Sequence, residues 1–516
     1  MKRWLAGLLV LGLVGIATGV MVTIAVLHEG PTAGPALARR PPADPGATRP
    51  PKPALARFYS QELDWSECGG DLCSVLEVPL DYRKPSGDTI GIAVLMRPAS
   101  APTRRVGYLV VNPGGPGASG TSYARSATTF FRRQLTERFD FVGFDPRGVG
   151  DSSPIDCLTD AQLDAYVAGD PDPDTGAEEL AYAREVRRLG RGCVRLSGDV
   201  VAHVSTIEAA RDMDVLRAAL GEASLGYFGA SYGTELGATY ADLFPDRVGR
   251  FVLDGAVDLH LSARDQSLQQ AAGFQTALEA YVANCVETTD ACFLGDSVDQ
   301  GLSRIEEFLA SVEASPLDAG DRQLSIGNAV YGISAPLYDA DYWYLLSNGL
   351  KNAFEGDGAL LLLLSDSYTA RNPGGDGYSE NLIEANLAIN CLDDPYSIRP
   401  SEVPAQLADF ESASRTFGRA FAWGLTTCGG FPPRSTEKRG DVRAAGAPPI
   451  VVVGTTRDPA TPIEWAVALV DQLESGVLIR RDGDGHTGYD AGNECVDAAV
   501  EAYLLDGLVP QDGLSC

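Results

Sequence analysis

Five residues constrain this chain more than any others. Gly229-Ala230-Ser231-Tyr232-Gly233 stands between an apolar run, Leu225 to Phe228, and a stretch of helical character from Thr234 to Leu243. A strand that ends here must turn sharply at the serine before the helix begins. Glycine flanks the turn because a Cβ would crowd the neighbouring backbone. The turn lifts the Ser231 hydroxyl out of the sheet, where a base can reach it, as in a nucleophile elbow. Phe251-Val252-Leu253-Asp254 supplies the next strand.

The pattern repeats along the chain. Strands are expected at 74–78, 89–96, 106–111, 139–144, 225–228, 251–253, 449–453 and 476–479, with helices between the later ones, such as 206–220, 462–473 and 491–505. Such alternation predicts an α/β fold, a mostly parallel sheet with helices on both faces. The first two strands are expected as an antiparallel edge. Between Asp258 and about Gly446 the pattern turns helical, at 269–285, 298–314, 338–354 and 403–421. An insertion at that point predicts a helical cap over the active site. The expected divisions are an N-terminal signal segment (1–28), a linker (29–58), the first part of the core (59–258), the cap (259–446) and the C-terminal part of the core (447–516).

An elbow of this kind belongs to the α/β-hydrolase fold, in which the acid and the histidine follow the serine in chain order. The chain has only four histidines. His28 ends the N-terminal apolar run, His203 precedes the serine, and His260 follows it too soon. That leaves His486, in the glycine-rich loop Asp482 to Gly488 after the apolar run Gly476 to Ile479. The acid is expected one strand earlier. Pro449 to Val453 reads as a strand buried on both faces, and the loop after it carries Asp458. Asp254, at the end of the preceding strand, is the rival acid. The acid's task is to orient the imidazole and stabilise its cation.

Acyl transfer also needs two N–H donors aimed at the developing oxyanion. Tyr232, the residue after the serine, supplies one. The loop Asn112-Pro113-Gly114-Gly115-Pro116-Gly117 supplies the other, assigned to Gly115. No Gly-Lys-Ser/Thr closes that loop, so it is not a phosphate loop. Serine at the elbow excludes the haloalkane dehalogenase and epoxide hydrolase chemistries, which use aspartate there.

Taken together, these segments resemble a known family. The Asn112–Gly117 loop, Phe144-Asp145-Pro146-Arg147-Gly148-Val149-Gly150-Asp151-Ser152, the elbow and the two C-terminal loops are similar to those of proline-iminopeptidase-type α/β-hydrolases. The likeness runs from about Trp65 to Cys516. Asn112 stands where many proline iminopeptidases have histidine, and with Ala388-Ile389-Asn390-Cys391-Leu392-Asp393 it resembles the exported tripeptidyl aminopeptidase branch. The resemblance implies a serine exopeptidase without cofactor that clips short peptides, three residues at a time, from free N-termini.

Composition bounds the remaining choices. A net charge of −29 argues against nucleic acid and against a basic membrane-surface patch. Lys2-Arg3 precede 24 uncharged residues, Trp4 to Leu27. As a helix these would span about 36 Å, enough for a ~30 Å hydrocarbon layer. The expectation is an uncleaved anchor holding an exported domain at the membrane. Ala36-Leu37-Ala38 leaves a cleaved signal as the alternative. Ten cysteines fit an oxidising compartment. Neighbour pairing gives 68–73, 157–193, 285–292, 391–428 and 495–516, one of many possible connectivities. No C-x-x-C occurs and no histidine sits among the cysteines, so no metal is expected.

An aminopeptidase must also hold an ammonium. Glu384, Asp393 and Asp394, on or after an expected helix at 380–389, are the candidates, although solvated surface carboxylates are the plainer reading of each. Two rival functions stay open. An esterase or lipase would use the same triad, and a non-catalytic exported binding protein would keep only the scaffold.

Overall fold

The computed structural model describes residue 44 and residues 46–516, apart from 290, 436, 438 and 439. The expected N-terminal anchor lies outside the described residues, as does most of the linker. The linker's last stretch is not a free tether. Ala47, Leu55, Phe58 and Tyr59 are buried against the core, and the Tyr59 hydroxyl donates to Asp214.

Ten strands form one sheet. In chain order these are β1 (Ser66–Cys68), β2 (Asp71–Pro79), β3 (Thr89–Arg97), β4 (Gly107–Asn112), β5 (Phe139–Phe144), β6 (Leu225–Ala230) and β7 (Val248–Asp254). A separate hairpin, β8 (Leu317–Ala319) and β9 (Arg322–Leu324), intervenes, followed by β10 (Ile450–Arg457), β11 (Gly476–Asp484) and β12 (Leu514–Ser515). The sheet order is β1-β2-β3-β5-β4-β6-β7-β10-β11-β12. The first three strands pair antiparallel, as does β3 with β5; from β5 to β12 every pairing is parallel. The parallel strands are buried on both faces, which is why they read as unbroken apolar runs. Phe139–Phe144 is buried at every position, and Val451, Val452 and Val453 are fully inaccessible.

Helices cover both faces. Those that matter for the site are α1 (Thr206–Ala219), α2 (Tyr232–Leu243), α3 (Leu382–Asp393), α4 (Ile463–Gln472) and α5 (Glu494–Asp506). Between β7 and β10 the chain forms the helical insertion. Its helices Ala263–Thr288, Val298–Ala314, Trp343–Phe354 and Ala359–Tyr368 close on a core of their own, with Leu278, Ile305, Leu346 and Leu361 at its centre.

The insertion departs from the expected pattern in two places. The single helix expected at 403–421 is a 3-10 turn (Pro400–Ala405) and two short helices, Leu407–Ala413 and Gly418–Gly424. Pro404 lacks an N–H for a regular helix. At Ser414 the backbone is extended, and its hydroxyl takes the Phe417 N–H while donating to Gln275. The helix expected from 338 starts at Trp343, because two 3-10 turns, one with Pro336 as its second residue and one capped by Asp339, precede it.

All ten cysteines are paired, each with its neighbour in sequence: 68–73, 157–193, 285–292, 391–428 and 495–516. Among the described residues no helix is long and apolar enough to cross a membrane.

Candidate active site

The elbow is built by close approach. Ser231 has φ +56°, ψ −127° and directly precedes α2. Its N–H donates to the Asp254 carbonyl at 2.9 Å, and its carbonyl accepts from Thr234. A Cβ at Gly229 would stand 2.4 Å from the Gly233 carbonyl oxygen, and one at Gly233 2.8 Å from that of Asn112. Both glycines are therefore required by space. The Ser231 side chain opens onto the cleft beneath the insertion.

His486 follows β11, and its ring is buried beside the end of β7, with Cε1 3.0 Å from where a Cβ on Gly255 would stand. Nδ1 lies 2.8 and 2.9 Å from the two carboxylate oxygens of Asp458. Nε2 is buried and has no hydrogen-bond partner among the described residues. Burial, the largest single influence, pushes this imidazole down, but the charge and hydrogen bond of Asp458, helped by Asp254, outweigh it and hold the group above its ordinary value. From the insertion, Tyr338 stands edge-on to the ring at 5.4 Å, and its carbonyl accepts the His486 N–H at 2.7 Å.

The two acids have different jobs. Asp458 is fixed by the N–H groups of Ala460 (2.9 Å) and Thr461 (2.8 Å) and by the Thr461 hydroxyl (2.9 Å). That hydroxyl also lies 3.3 Å from His486 Nδ1. Asp254 instead accepts the N–H groups of Gly488 (2.7 Å) and Tyr489 (2.9 Å). It grips the backbone of the loop that carries the histidine, and burial pushes it up to about 6. Of the two acids, Asp458 is the one that reaches the ring nitrogen.

The loop after β4 lies against the serine. Gly114 and Gly115 have φ +98° and +107°. The Gly114 N–H donates to Asn112 Oδ1 at 3.0 Å, and a Cβ on Gly114 would meet Ser231 Cβ at 2.8 Å and Tyr232 N at 2.9 Å. Gly115, Ser231 and Tyr232 line the cleft together. The insertion holds this loop from above. Asn386 Nδ2 donates to the Pro116 carbonyl at 3.1 Å, and α3 passes so close that a Cβ on Gly117 would stand 2.8 Å from the Leu382 oxygen. The Asp145–Ser152 segment is structural. Arg147 is fully inaccessible and doubly bonded to Asp212, at 2.7 Å on each oxygen.

The cleft has a volume of about 1380 Å³, above the ~300–1,000 Å³ usual for a drug-sized ligand. Aromatic side chains make much of its wall, among them Tyr166, Tyr182, Phe274, Tyr331 and Tyr338. Its carboxylates include Glu235, Asp258, Asp393 and Asp394.

Residues 413–516 match the family model for TAP-like protein. Over 498 residues the chain is 36% identical to serine protease Hip1 of Mycobacterium tuberculosis, covering 91% of this chain and 93% of that protein. It is 38% identical over 492 residues to carboxylesterase B of the same organism, covering 92% and 93%. To tripeptidyl aminopeptidase of Streptomyces lividans it is 32% identical over 490 residues, covering 90% and 88%. The chain belongs to the tripeptidyl-aminopeptidase-like α/β-hydrolases. It is a serine hydrolase, and its five disulfides place the folded domain outside the cytoplasm.

Within this family member the three carboxylates expected to hold an amine part company. Glu384 does not reach the cleft. It accepts the N–H groups of Cys157 (2.6 Å) and Leu158 (2.8 Å) and borders a smaller cavity of about 270 Å³. Burial pushes it up to about 7. Asp393 lines the cleft but caps α1, accepting the Thr206 N–H and hydroxyl. Asp394 lines the cleft and is exposed. Sequence reasoning missed Glu235, which stands on the first turn of α2 and lines the cleft together with Ser231. It also missed Thr461, whose only signal was its position three residues after Asp458, where a threonine in a turn bonds back to an aspartate.

Among the described residues one cluster has metal-ligand composition: Asp81, His203 and Glu208 have donor atoms within 4.8 Å of one another. Arg83 already holds Asp81 through two bonds, and Arg147 stands 3.8 Å from Glu208. Guanidinium groups balance these carboxylates, so the donor set does not fit a resident cation.

Proposed function

We propose that this protein is an exported serine aminopeptidase that releases short peptides, three residues long, from free N-termini through an acyl-enzyme on Ser231. The observation that carries the reading is the Asp458–His486 pair together with Ser231 on a strained elbow that opens onto the cleft. In this reading His486 Nε2, which lacks a partner among the described residues, takes the Ser231 proton as the oxygen attacks the scissile carbonyl. The same proton then passes to the leaving amine. Asp458 holds the imidazole and stabilises its cation. The N–H groups of Tyr232 and Gly115 receive the oxyanion. The resulting ester is cleared by water that His486 activates in the same way. Asp394 and Glu235 are the carboxylates proposed to meet the substrate ammonium, since an ammonium in a cleft is tolerated when paired. The N-terminal apolar segment is proposed to hold the domain at the outer face of the membrane.

The likeness to carboxylesterase B favours one second reading, an esterase on the same triad. Matched peptides with free and acetylated N-termini separate the two. For a peptidase that reads the amine, acetylation lowers kcat/KM by about two orders of magnitude, equivalent to roughly 3 kcal/mol for a charge-assisted contact. Equal rates on both peptides would exclude the aminopeptidase reading. Fast turnover of simple esters with none of peptides would favour the esterase.

A further inference from the structure

We propose that the hydrogen-bond chain Asp393–Thr206–Tyr232 is a positioning device for the oxyanion hole, reaching from the cap helix α3 through the start of α1 to the residue after the nucleophile. The inference rests on the proposed role of Tyr232 as an oxyanion donor. Thr206 Oγ1 stands 2.6 Å from Asp393 Oδ2 and 2.6 Å from the Tyr232 hydroxyl. Asp393 also accepts the Thr206 N–H at 3.0 and 3.2 Å. Thr206 donates its one hydroxyl proton to Asp393, so the Tyr232 hydroxyl donates to Thr206. Thr206 and Tyr232 are 2% and 6% exposed, so water does not readily take either place.

The backbone next to Tyr232 is where such an anchor is needed. Ser231 holds a positive φ that a non-glycine residue rarely adopts. Tyr232 is the first residue of α2, and its N–H is aimed by the same peptide plane that the strained serine shares. A phenol fixed at its far end opposes rotation of that plane. The other proposed donor depends on the same helix, because Asn386 on α3 holds the Pro116 carbonyl next to Gly115. The last turn of α3 is stapled by the Cys391–Cys428 bridge. One cap helix thus braces both sides of the oxyanion hole, and the insertion acts on the chemical step as well as on which substrates enter.

A brace of this kind acts in the transition state, where the oxyanion exists, and not on ground-state binding. Thr206→Val and Tyr232→Phe are each expected to lower kcat about 10-fold with KM within about 2-fold, less than the 10²–10³ lost with a whole donor. Thr206→Ser, which keeps the hydroxyl, is expected to restore kcat to within about 2-fold. The double variant Thr206→Val/Tyr232→Phe is expected to be no slower than the slower single variant, because both cut the same chain. Inhibition by a peptide aldehyde, which places a tetrahedral oxyanion on Ser231, is expected to weaken in parallel with kcat. Unchanged kcat in both single variants, multiplied losses in the double, or a rise in KM alone would overturn the proposal. If Thr206→Val fails to fold, Tyr232→Phe, which removes one oxygen, still decides it. A defect in the triad reading would show separately, as turnover in Ser231→Ala.

Discussion

Ser231 sits at φ +56°, a conformation that costs about 1–3 kcal/mol and persists only where its surroundings impose it. Here Asp254, Thr234 and two glycines impose it. The two aspartates near His486 invite a direct comparison. Asp458→Asn is expected to lower kcat by about 10⁴, since the amide favours the wrong tautomer. Asp254→Asn is expected to lower the melting temperature and to cost far less in kcat, because Asp254 holds loop backbone and not the ring. The reverse ranking would reassign the acid. The pH profile has a defined sign. His486 must be neutral to act as base, and its value lies above the ordinary ~6.5. The acid limb of kcat/KM is therefore expected to fall at a midpoint above 6.5, and a limb below that value would contradict the Asp458 contact. Gly114→Ala is expected to abolish activity, because the new Cβ would meet Ser231 Cβ at 2.8 Å at a φ that alanine resists. Ser231 and His486 were legible in the sequence through motif, chain order and a shortage of histidines. Thr461 was not, since threonine in a turn carries no sign of what its hydroxyl faces. Glu384 misled because burial against a neighbouring loop leaves no trace in residue type.

Helix α3 links several of these effects. Its start was expected at Glu380, but the structure begins it at Leu382. Asn381 is taken up instead by the core, accepting the Gly150 N–H and donating to the carbonyls of Gly148 and Ile155. No sequence pattern announces such a contact, because its partners lie more than two hundred residues away. The strands were easier to read. Buried parallel strands are apolar throughout, so Val451 to Val453 identified β10, whereas its extension to Arg457 came only with pairing to β11. The edge strands β1 and β12 and the β8–β9 hairpin, each three residues or fewer, are too short to carry a period. The carboxylate of Glu384 sets a testable pH dependence. Its folded value of about 7 lies above its unfolded value near 4.5, so the folded state binds the extra proton between them. The stability it adds is present below pH 4.5 and is lost as pH rises through 7. The melting temperature should therefore fall from pH 5.5 to pH 8, and Glu384→Gln, which does not titrate, should flatten that fall. An equally steep fall in the variant would place the titration elsewhere.

The whole molecule joins the hydrophobic clusters on the two faces of the sheet to those of the insertion, and the cleft is lined by residues of both parts. Local pairing accounts for all five disulfides, with sequence separations from 5 to 37, so no bridge ties the insertion to a distant part of the core. Titration of the unfolded, unreduced domain with a thiol reagent is expected to find no free thiol. Two or more would contradict the five-bridge structure. Replacing Cys391 and Cys428 together by serine is expected to lower kcat more than the melting temperature, because that bridge ends the helix bracing the oxyanion hole. The helical character of the stretch between β7 and β10 was legible from the change of period after Asp258. The hold of this stretch on His486, Pro116 and Thr206 through Tyr338, Asn386 and Asp393 was not, because such contacts join residues far apart in the chain. The most direct test of the account is the mass of the acyl-enzyme. A hexapeptide with a free N-terminus is mixed with the enzyme and acid-quenched within milliseconds, and the modified protein is digested and mapped. The expected result is an adduct on Ser231 equal in mass to the first three residues of the peptide, absent when the peptide is acetylated. An adduct on another residue, an internal fragment on Ser231, or turnover with no covalent intermediate would contradict it.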